Sequence, residues 1–142
     1  MRVWCLAALA AAIAAASGGA SAQEGALAPP PGTERGSVAH LALLCVPPAN
    51  APDRPVAMAL CHGFLLGAGQ YYAALHHEGS RRRRPFCPPS PPPSLGEAGA
   101  AFAAWAGAHP ETARERAIEG VMRWAVATWP CPRQPARPSR RR

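Results

Sequence analysis

The chain contains no lysine, so its positive charge rests on 15 arginines set against eight carboxylates, a formal net charge of +7. Most of the arginines lie in two runs: residues 81–84, and Arg133, Arg137, Arg140, Arg141 and Arg142. Neither run has interleaved aromatic side chains on which bases could stack, so both favour solvated segments over a specific nucleic-acid site. Salt-sensitive binding of a polyanion or an envelope surface through these runs is one alternative function.

Recognisable catalytic motifs are also lacking. The sequence has no serine nucleophile elbow, phosphate-binding loop or dinucleotide-binding loop, and its few carboxylates form no obvious acid/base pair. Neither Cys61 nor Cys87 lies in a nucleophile motif. A zinc site combining them with His62, His76 and His77 would fit none of the usual spacings, and disulfide formation would consume the thiolates. We therefore predict no catalytic residue, no metal and no cofactor, and a binding or structural role.

The N-terminus is typical of an export signal. Residues 1–22 combine Arg2, an apolar stretch and a small-residue site, Ala20-Ser21-Ala22, which predicts cleavage after Ala22. The apolar stretch is shorter than the roughly 20 residues that cross a bilayer, and no later segment qualifies, so we predict no membrane span. Residues 23–36, rich in glycine, proline and alanine, are predicted to be an extended leader.

Four cysteines remain after removal of the signal: Cys45, Cys61, Cys87 and Cys131. In a small exported chain they favour two disulfides, which an oxidising compartment preserves. Much of the apolar content is alanine, which buries little area, so covalent crosslinks are expected to matter for stability.

Local signals in the first half of the chain predict two helices. The first begins at the N-cap Ser37 and includes Cys45, and the second runs from about Pro55 to His77. Gly63 and Gly67 lie one turn apart on the second helix, where missing side chains would let another helix approach; the alternative is that an alanine-rich helix merely tolerates them. An apolar stripe is predicted to be buried: Val56, Leu60, Phe64, Leu65, Ala68, Tyr72 and Leu75.

The second half of the chain predicts two more helices after a proline-rich loop. A capping box at residues 94–97 starts the third helix, and His109 ends it because proline follows. Pro110 and Glu111 suit the first turn of the fourth helix, which continues to about Trp129. Pro130 stops it, with Cys131 just beyond. The predicted fold class is thus all-α: one small four-helix domain with disulfide staples.

The hairpin of the third and fourth helices bears on the disulfide pairing. Four cysteines allow three connectivities. If those two helices are antiparallel, Cys87 lies near Cys131, and Cys45 at the end of the first helix lies near Cys61 in the second. This connectivity is favoured.

Four ordered segments together resemble the Rap/Tai family of immunity proteins. They are Cys-x-Gly-aromatic-aliphatic-x-Gly at residues 61–67, Cys87 to Pro89, the His109-Pro110-Glu111 helix end, and Trp129-Pro130-Cys131. The resemblance covers residues 37–132 and leaves 133–142 as a basic disordered tail. It implies a small periplasmic protein, often a homodimer, that binds and blocks a peptidoglycan amidase delivered by type VI secretion. The alternative is a general periplasmic helical protein of chaperone or structural type.

Overall fold

A computed structural model describes Pro30 and residues 33–132. Within these residues the chain forms four α-helices and one turn of 3₁₀ helix, and no strand, so the predicted all-α, four-helix class is confirmed. The predicted signal peptide, most of the predicted leader and the predicted basic tail lie outside the described residues. The elements are α1 (Val38–Cys45), α2 (Arg54–Leu75), α3 (Leu95–Ala108), the 3₁₀ helix (Pro110–Thr112) and α4 (Ala117–Thr128).

Helix α1 begins at the predicted N-cap, and hydrogen bonds to a distant part of the chain fix its first turn. The Ser37 side chain accepts a hydrogen bond from the backbone N–H of His40. The N–H groups of Val38 and Ala39, which have no partner within the helix, donate to the carbonyls of Glu115 and Ala113 at 2.9 and 3.1 Å. These bonds fix the start of α1 against the segment that precedes α4.

The same bonds explain why α4 starts later than predicted. We expected it to begin at Pro110, but that residue opens only the 3₁₀ turn, and α4 starts at Ala117. Arg116 adopts an extended backbone and pairs with Ser37 in an isolated antiparallel bridge. The N–H of Ala117 donates to the carbonyl of Gly36 at 2.8 Å. Partners from a distant part of the chain thus replace the first turns of the predicted helix.

The predicted capping box at the start of α3 is present. The Ser94 side chain accepts from the N–H of Glu97, and the Ser94 hydroxyl and N–H both donate to the Glu97 carboxylate. Hydrogen bonding to the Ser94 side chain lowers the pKa of Glu97 from its ordinary value, with a further contribution from the Ser94 backbone. The box therefore works best with the carboxylate ionised.

The core is organised around α1, which contacts α2, α3 and α4. Its residues Val38, Leu41 and Cys45 are buried, and the fully buried Phe102 of α3 lies in the same cluster. Tryptophan rather than aliphatic bulk fills the α4 side: the Trp124 ring meets the Phe102 ring edge-on at a centroid distance of 5.9 Å.

Two glycines let α3 and α4 approach this central helix. A Cβ on Gly99 of α3 would lie 3.3 Å from the sulfur of Cys61 and 3.5 Å from the Cβ of Cys45. A Cβ on Gly120 of α4 would overlap the side chain of Val38. Interiors are packed too densely to absorb such an added atom without movement. Packing therefore requires glycine at position 120, whereas a Cβ on Gly99 would be a tight contact that needs only a small shift of the disulfide.

Two sequence expectations about buried faces need correction. On α2, Leu65 is buried, whereas Val56, Leu60 and Phe64 are exposed, because α1 covers only one side of a helix that is apolar on both. On α4, we expected either Ala117 or Ile118 to face inward, and the buried residue is Ala117. Trp124, which we did not expect to face inward, is 4% exposed and belongs to the core.

We expect Gly120→Ala to lower the free energy of unfolding by about 1–3 kcal/mol, because the new methyl group overpacks the core against Val38. Gly69→Ala is the matched control. That residue lies inside α2, a Cβ there meets nothing within 4 Å, and the substitution should stabilise the helix by up to about 1 kcal/mol. Urea unfolding followed by circular dichroism measures both. Equal effects at the two positions would contradict the packing role of Gly120.

Candidate functional site

A proline-rich loop, residues 80–93, crosses between α2 and α3 and is tied to the end of α4. The Cys87–Cys131 disulfide joins its middle to the third residue after α4, with a Cα–Cα distance of 4.8 Å. The N–H of Cys87 donates to the carbonyl of Trp129 at 2.8 Å. Prolines restrict the backbone on either side of the disulfide. This segment, which we call the proline loop, is thus anchored without regular secondary structure.

Aromatic packing fixes the same part of the loop against α2. Phe86 is buried, and its ring stacks on Tyr72 of α2 at a centroid distance of 4.0 Å. The Tyr72 hydroxyl donates to the carbonyl of Phe86. The hydroxyl of the half-buried tyrosine is therefore satisfied, and α2 is fixed to the loop by both apolar and polar contacts.

Arg84 lies where the loop leaves α2. Its guanidinium donates to the carbonyl of His76 at 2.8 Å, and the Ser80 hydroxyl donates to the carbonyl of Leu75 at 2.9 Å. These carbonyls belong to the last turn of α2, where a cation and hydroxyl donors are favourable. Residues 81–83 are exposed. One arginine of the run is therefore held in place, and three project towards solvent.

The second surface of interest is the side of α2 that points away from the core. We call it the outer face of α2, and it comprises Val56, Leu60, Gly63, Phe64, Gly67 and Tyr71. Val56, Leu60 and Tyr71 are 49%, 47% and 68% exposed. No Asp, Glu or Arg occurs on α2 after Arg54. An uncharged helix face with large exposed apolar side chains is typical of an interaction surface.

The predicted glycine pair lies on this outer face. Within the described residues, a Cβ on Gly63 or Gly67 would meet nothing within 4 Å. No other helix of the described chain therefore uses the close approach that the pair permits.

The His109-Pro110-Glu111 motif forms the turn after α3. His109 caps the helix, its ring stacks on Trp105 at 4.5 Å, and its Nδ1 lies 2.8 Å from the Trp105 carbonyl. Pro110 and Glu111 are exposed at the start of the 3₁₀ turn. The sequence analysis did not single out Thr112, which is buried and donates its hydroxyl to the carbonyl of His109 at 2.8 Å. The motif is structural.

The two disulfides follow the connectivity that the helical hairpin favours. Cys45 and Cys61 are joined with a Cα–Cα distance of 5.1 Å, and both are buried in the core. Cys87 and Cys131 are only half-buried. Because each of the four sulfurs is bonded to its partner in one of the two disulfides, none is free to act as a thiolate nucleophile or ligand. In residues 33–132, no three His, Cys, Asp or Glu side chains cluster in a way that could hold a metal ion.

The residues that the sequence analysis singled out lie in separate parts of the structure. The cysteines with Pro130 and Trp129 form the staples, whereas Gly63 and Gly67 lie on an exposed face, and exposed Pro89 belongs to the proline loop. The structure does not gather them into one pocket. Sequence reasoning missed Phe86 as an anchor, although a lone aromatic residue within a proline-rich loop is a usable signal.

This architecture defines a small, all-α scaffold stapled by one buried and one peripheral disulfide. The model of the Rap1a immunity proteins matches residues 37–131, most of the chain and nearly all of the described fold. The chain belongs to this family of immunity proteins, as the four ordered segments predict. No significant match was found among curated proteins or solved structures. Among the described residues, no helix is both long and apolar enough to cross a bilayer.

We expect the peripheral disulfide to be reduced first. Attack on a disulfide needs access to the sulfur, and Cys45–Cys61 lies in the core whereas Cys87–Cys131 is partly exposed. Stepwise reduction of the folded protein, with alkylation and peptide mapping at each step, should label Cys87 and Cys131 before Cys45 and Cys61.

The two crosslinks also differ in the length of chain they close, 16 and 44 residues in sequence separation. Chain-entropy arguments give losses of about 3 and about 4 kcal/mol when each is removed by paired Cys→Ser substitution. A peptide joining Cys61 to Cys131 would contradict the structure.

Proposed function

We propose that this protein is a periplasmic immunity protein that binds and inhibits a peptidoglycan amidase effector of a type VI secretion system. Membership of the immunity family carries the proposal, since it implies an effector as protein partner. The effector's active site would be occluded by the bound scaffold, with no chemistry supplied by the inhibitor. The predicted export signal and the two disulfides suit the oxidising periplasm, where such an amidase acts.

The structure supports occlusion through its rigidity. The proline loop is fixed by a disulfide, an aromatic stack and a hydrogen bond to α2, and so forms a pre-ordered surface. A surface that is ordered before binding loses less conformational entropy in the complex than a mobile one. An inhibitor that works by filling a cleft benefits from such a surface.

We also propose that two copies associate through the outer face of α2. A two-fold interface uses the same patch on both copies, so a charge near the two-fold axis would meet its own copy, and such a like-charge contact costs several kcal/mol. The outer face has no formal charge, and its exposed leucine, valine and aromatic side chains flank a glycine notch. Two such helices can therefore approach closely, with Phe64 or Leu60 of one copy beside the glycines of the other.

The inhibitory role predicts stoichiometric loss of amidase activity. The oxidised mature protein, added to a peptidoglycan amidase encoded beside its own gene, should reduce the release of peptide fragments from purified cell wall to background at one equivalent. Replacing Arg81, Arg82 and Arg83 by Gln and removing residues 133–142 should leave inhibition largely intact, because the proposed mechanism is steric.

Two results would count against this role. Loss of inhibition in the arginine-depleted protein, or its loss in moderate salt, would favour charge-driven binding of a polyanion. No inhibition at a large excess, with weak binding to many unfolded proteins, would favour the chaperone-type alternative.

Leu60→Glu should convert the homodimer to a monomer, because it places a carboxylate from each copy in an apolar contact that offers no opposite charge. Leu43→Glu is the control: this leucine of α1 is 42% exposed, close to the 47% of Leu60, but lies on a different helix. Size-exclusion chromatography with light scattering gives the mass of each variant. A monomeric parent protein, or equal effects of the two substitutions, would refute the interface.

A further inference from the structure

A large groove lies on the opposite side of α2 from its outer face. It is bounded by the second half of α2, the proline loop, the start of α3 and one side of α4, and its volume is about 840 Å³. Sites that take small organic ligands typically enclose about 300–1,000 Å³. We call it the loop groove. Its size suits a small molecule.

The floor of the loop groove is made by core side chains. Leu65, Phe86, Trp124 and Ala125 are all buried in the fold, yet each lines the groove. The groove therefore reaches down to the hydrophobic core, and its floor offers dispersion contacts with no polar partner. An aliphatic chain is the kind of group that gains most from such a surface.

The rim of the groove carries basic side chains, in contrast to its apolar floor. Arg84, His76 and His77 line it, and no Asp or Glu is among the lining residues. Arg84 is already oriented by its bond to the carbonyl of His76, and an arginine has five N–H donors, so others can donate to an anion. The exposed arginines at 81–83 of the same run do not line the groove. The rim is therefore complementary to one negative charge.

We propose that the loop groove binds a monomeric amphiphile with a long aliphatic chain and a single anionic head group, such as a fatty-acid carboxylate. The chain lies along the floor beside Trp124, and the head group accepts hydrogen bonds from Arg84. This activity is separate from the immunity role. It uses the inner side of α2 and leaves the outer face, the proposed dimer interface, free. The groove shares the proline loop with the proposed inhibitory surface, but binding of the amphiphile can be measured in the absence of any effector.

Tryptophan fluorescence provides a direct measurement, since Trp124 and Trp129 both line the groove. The probe is dibromostearate, whose bromine atoms quench nearby tryptophan, used below its micelle-forming concentration with the full mature protein. We expect saturable quenching at one equivalent, reversed by palmitate. The neutral methyl ester of dibromostearate should bind more weakly, because it lacks the charge that Arg84 recognises.

Paired variants separate the head-group and chain contributions. Arg84→Gln should weaken dibromostearate about tenfold, the usual effect of losing a hydrogen bond to a charged group, and leave the methyl ester unchanged. Arg82→Gln, an exposed member of the same run, should change neither. Ala98→Phe fills the groove from α3 and should abolish quenching by both probes, whereas Ala100→Phe, at an exposed site on the same helix, should not. Thermal unfolding checks that each variant is folded.

Several outcomes would overturn the proposal. Quenching that rises without saturation, or that Ala98→Phe and Ala100→Phe reduce equally, excludes a groove site. Loss of quenching in Leu60→Glu with retention in Ala98→Phe would place the probe on the outer face of α2. Binding seen only with vesicles of an anionic phospholipid, and not with monomeric dibromostearate, would indicate a membrane-surface interaction instead.

Discussion

The fold depends on the contact between α1 and two glycines on other helices. Helix α1 has only eight residues, about 12 Å of helix, yet it is the element that α2, α3 and α4 all touch. It can occupy the centre because Gly99 and Gly120 bring the backbones of α3 and α4 close to Cys45 and Val38. In an alanine-rich chain, short distances between backbones replace bulky side chains. The Cys45–Cys61 disulfide then attaches the longest helix to this centre through a crosslink that is itself part of the packing.

A central helix this short leaves much of α2 without a helical partner. At 22 residues, α2 extends about 33 Å, far beyond the reach of α1. The proline loop covers one side of its second half, through Phe86 on Tyr72 and Arg84 on the last carbonyls. The other side remains open along its length. The outer face and the loop groove are therefore two consequences of one mismatch in helix length.

Local chemistry in the sequence predicted much of this architecture. The caps at Ser37 and Ser94 and the proline that ends α3 act within a few residues, so their signals are readable without the fold. The start of α4 was not readable, because its first turns are replaced by hydrogen bonds to the distant start of α1. The buried side of α2 was ambiguous because both of its sides are apolar. Because the buried side of α2 was ambiguous, Gly63 and Gly67 were predicted to be the packing glycines. The glycines that pack against the core are instead Gly99 and Gly120.

The residues that place the chain in its family are largely those of the scaffold. Cysteines, helix caps and turn prolines fix where the helices lie, while the surfaces open to partners consist of an uncharged helix face and an arginine-rimmed groove. Function on a shared fold is set by such exposed sites, so membership specifies the kind of partner better than its identity. The rigid scaffold still matters for binding, because the loop and α2 are ordered before any partner arrives. The free energy of contact is then available for affinity and is not consumed in ordering the chain.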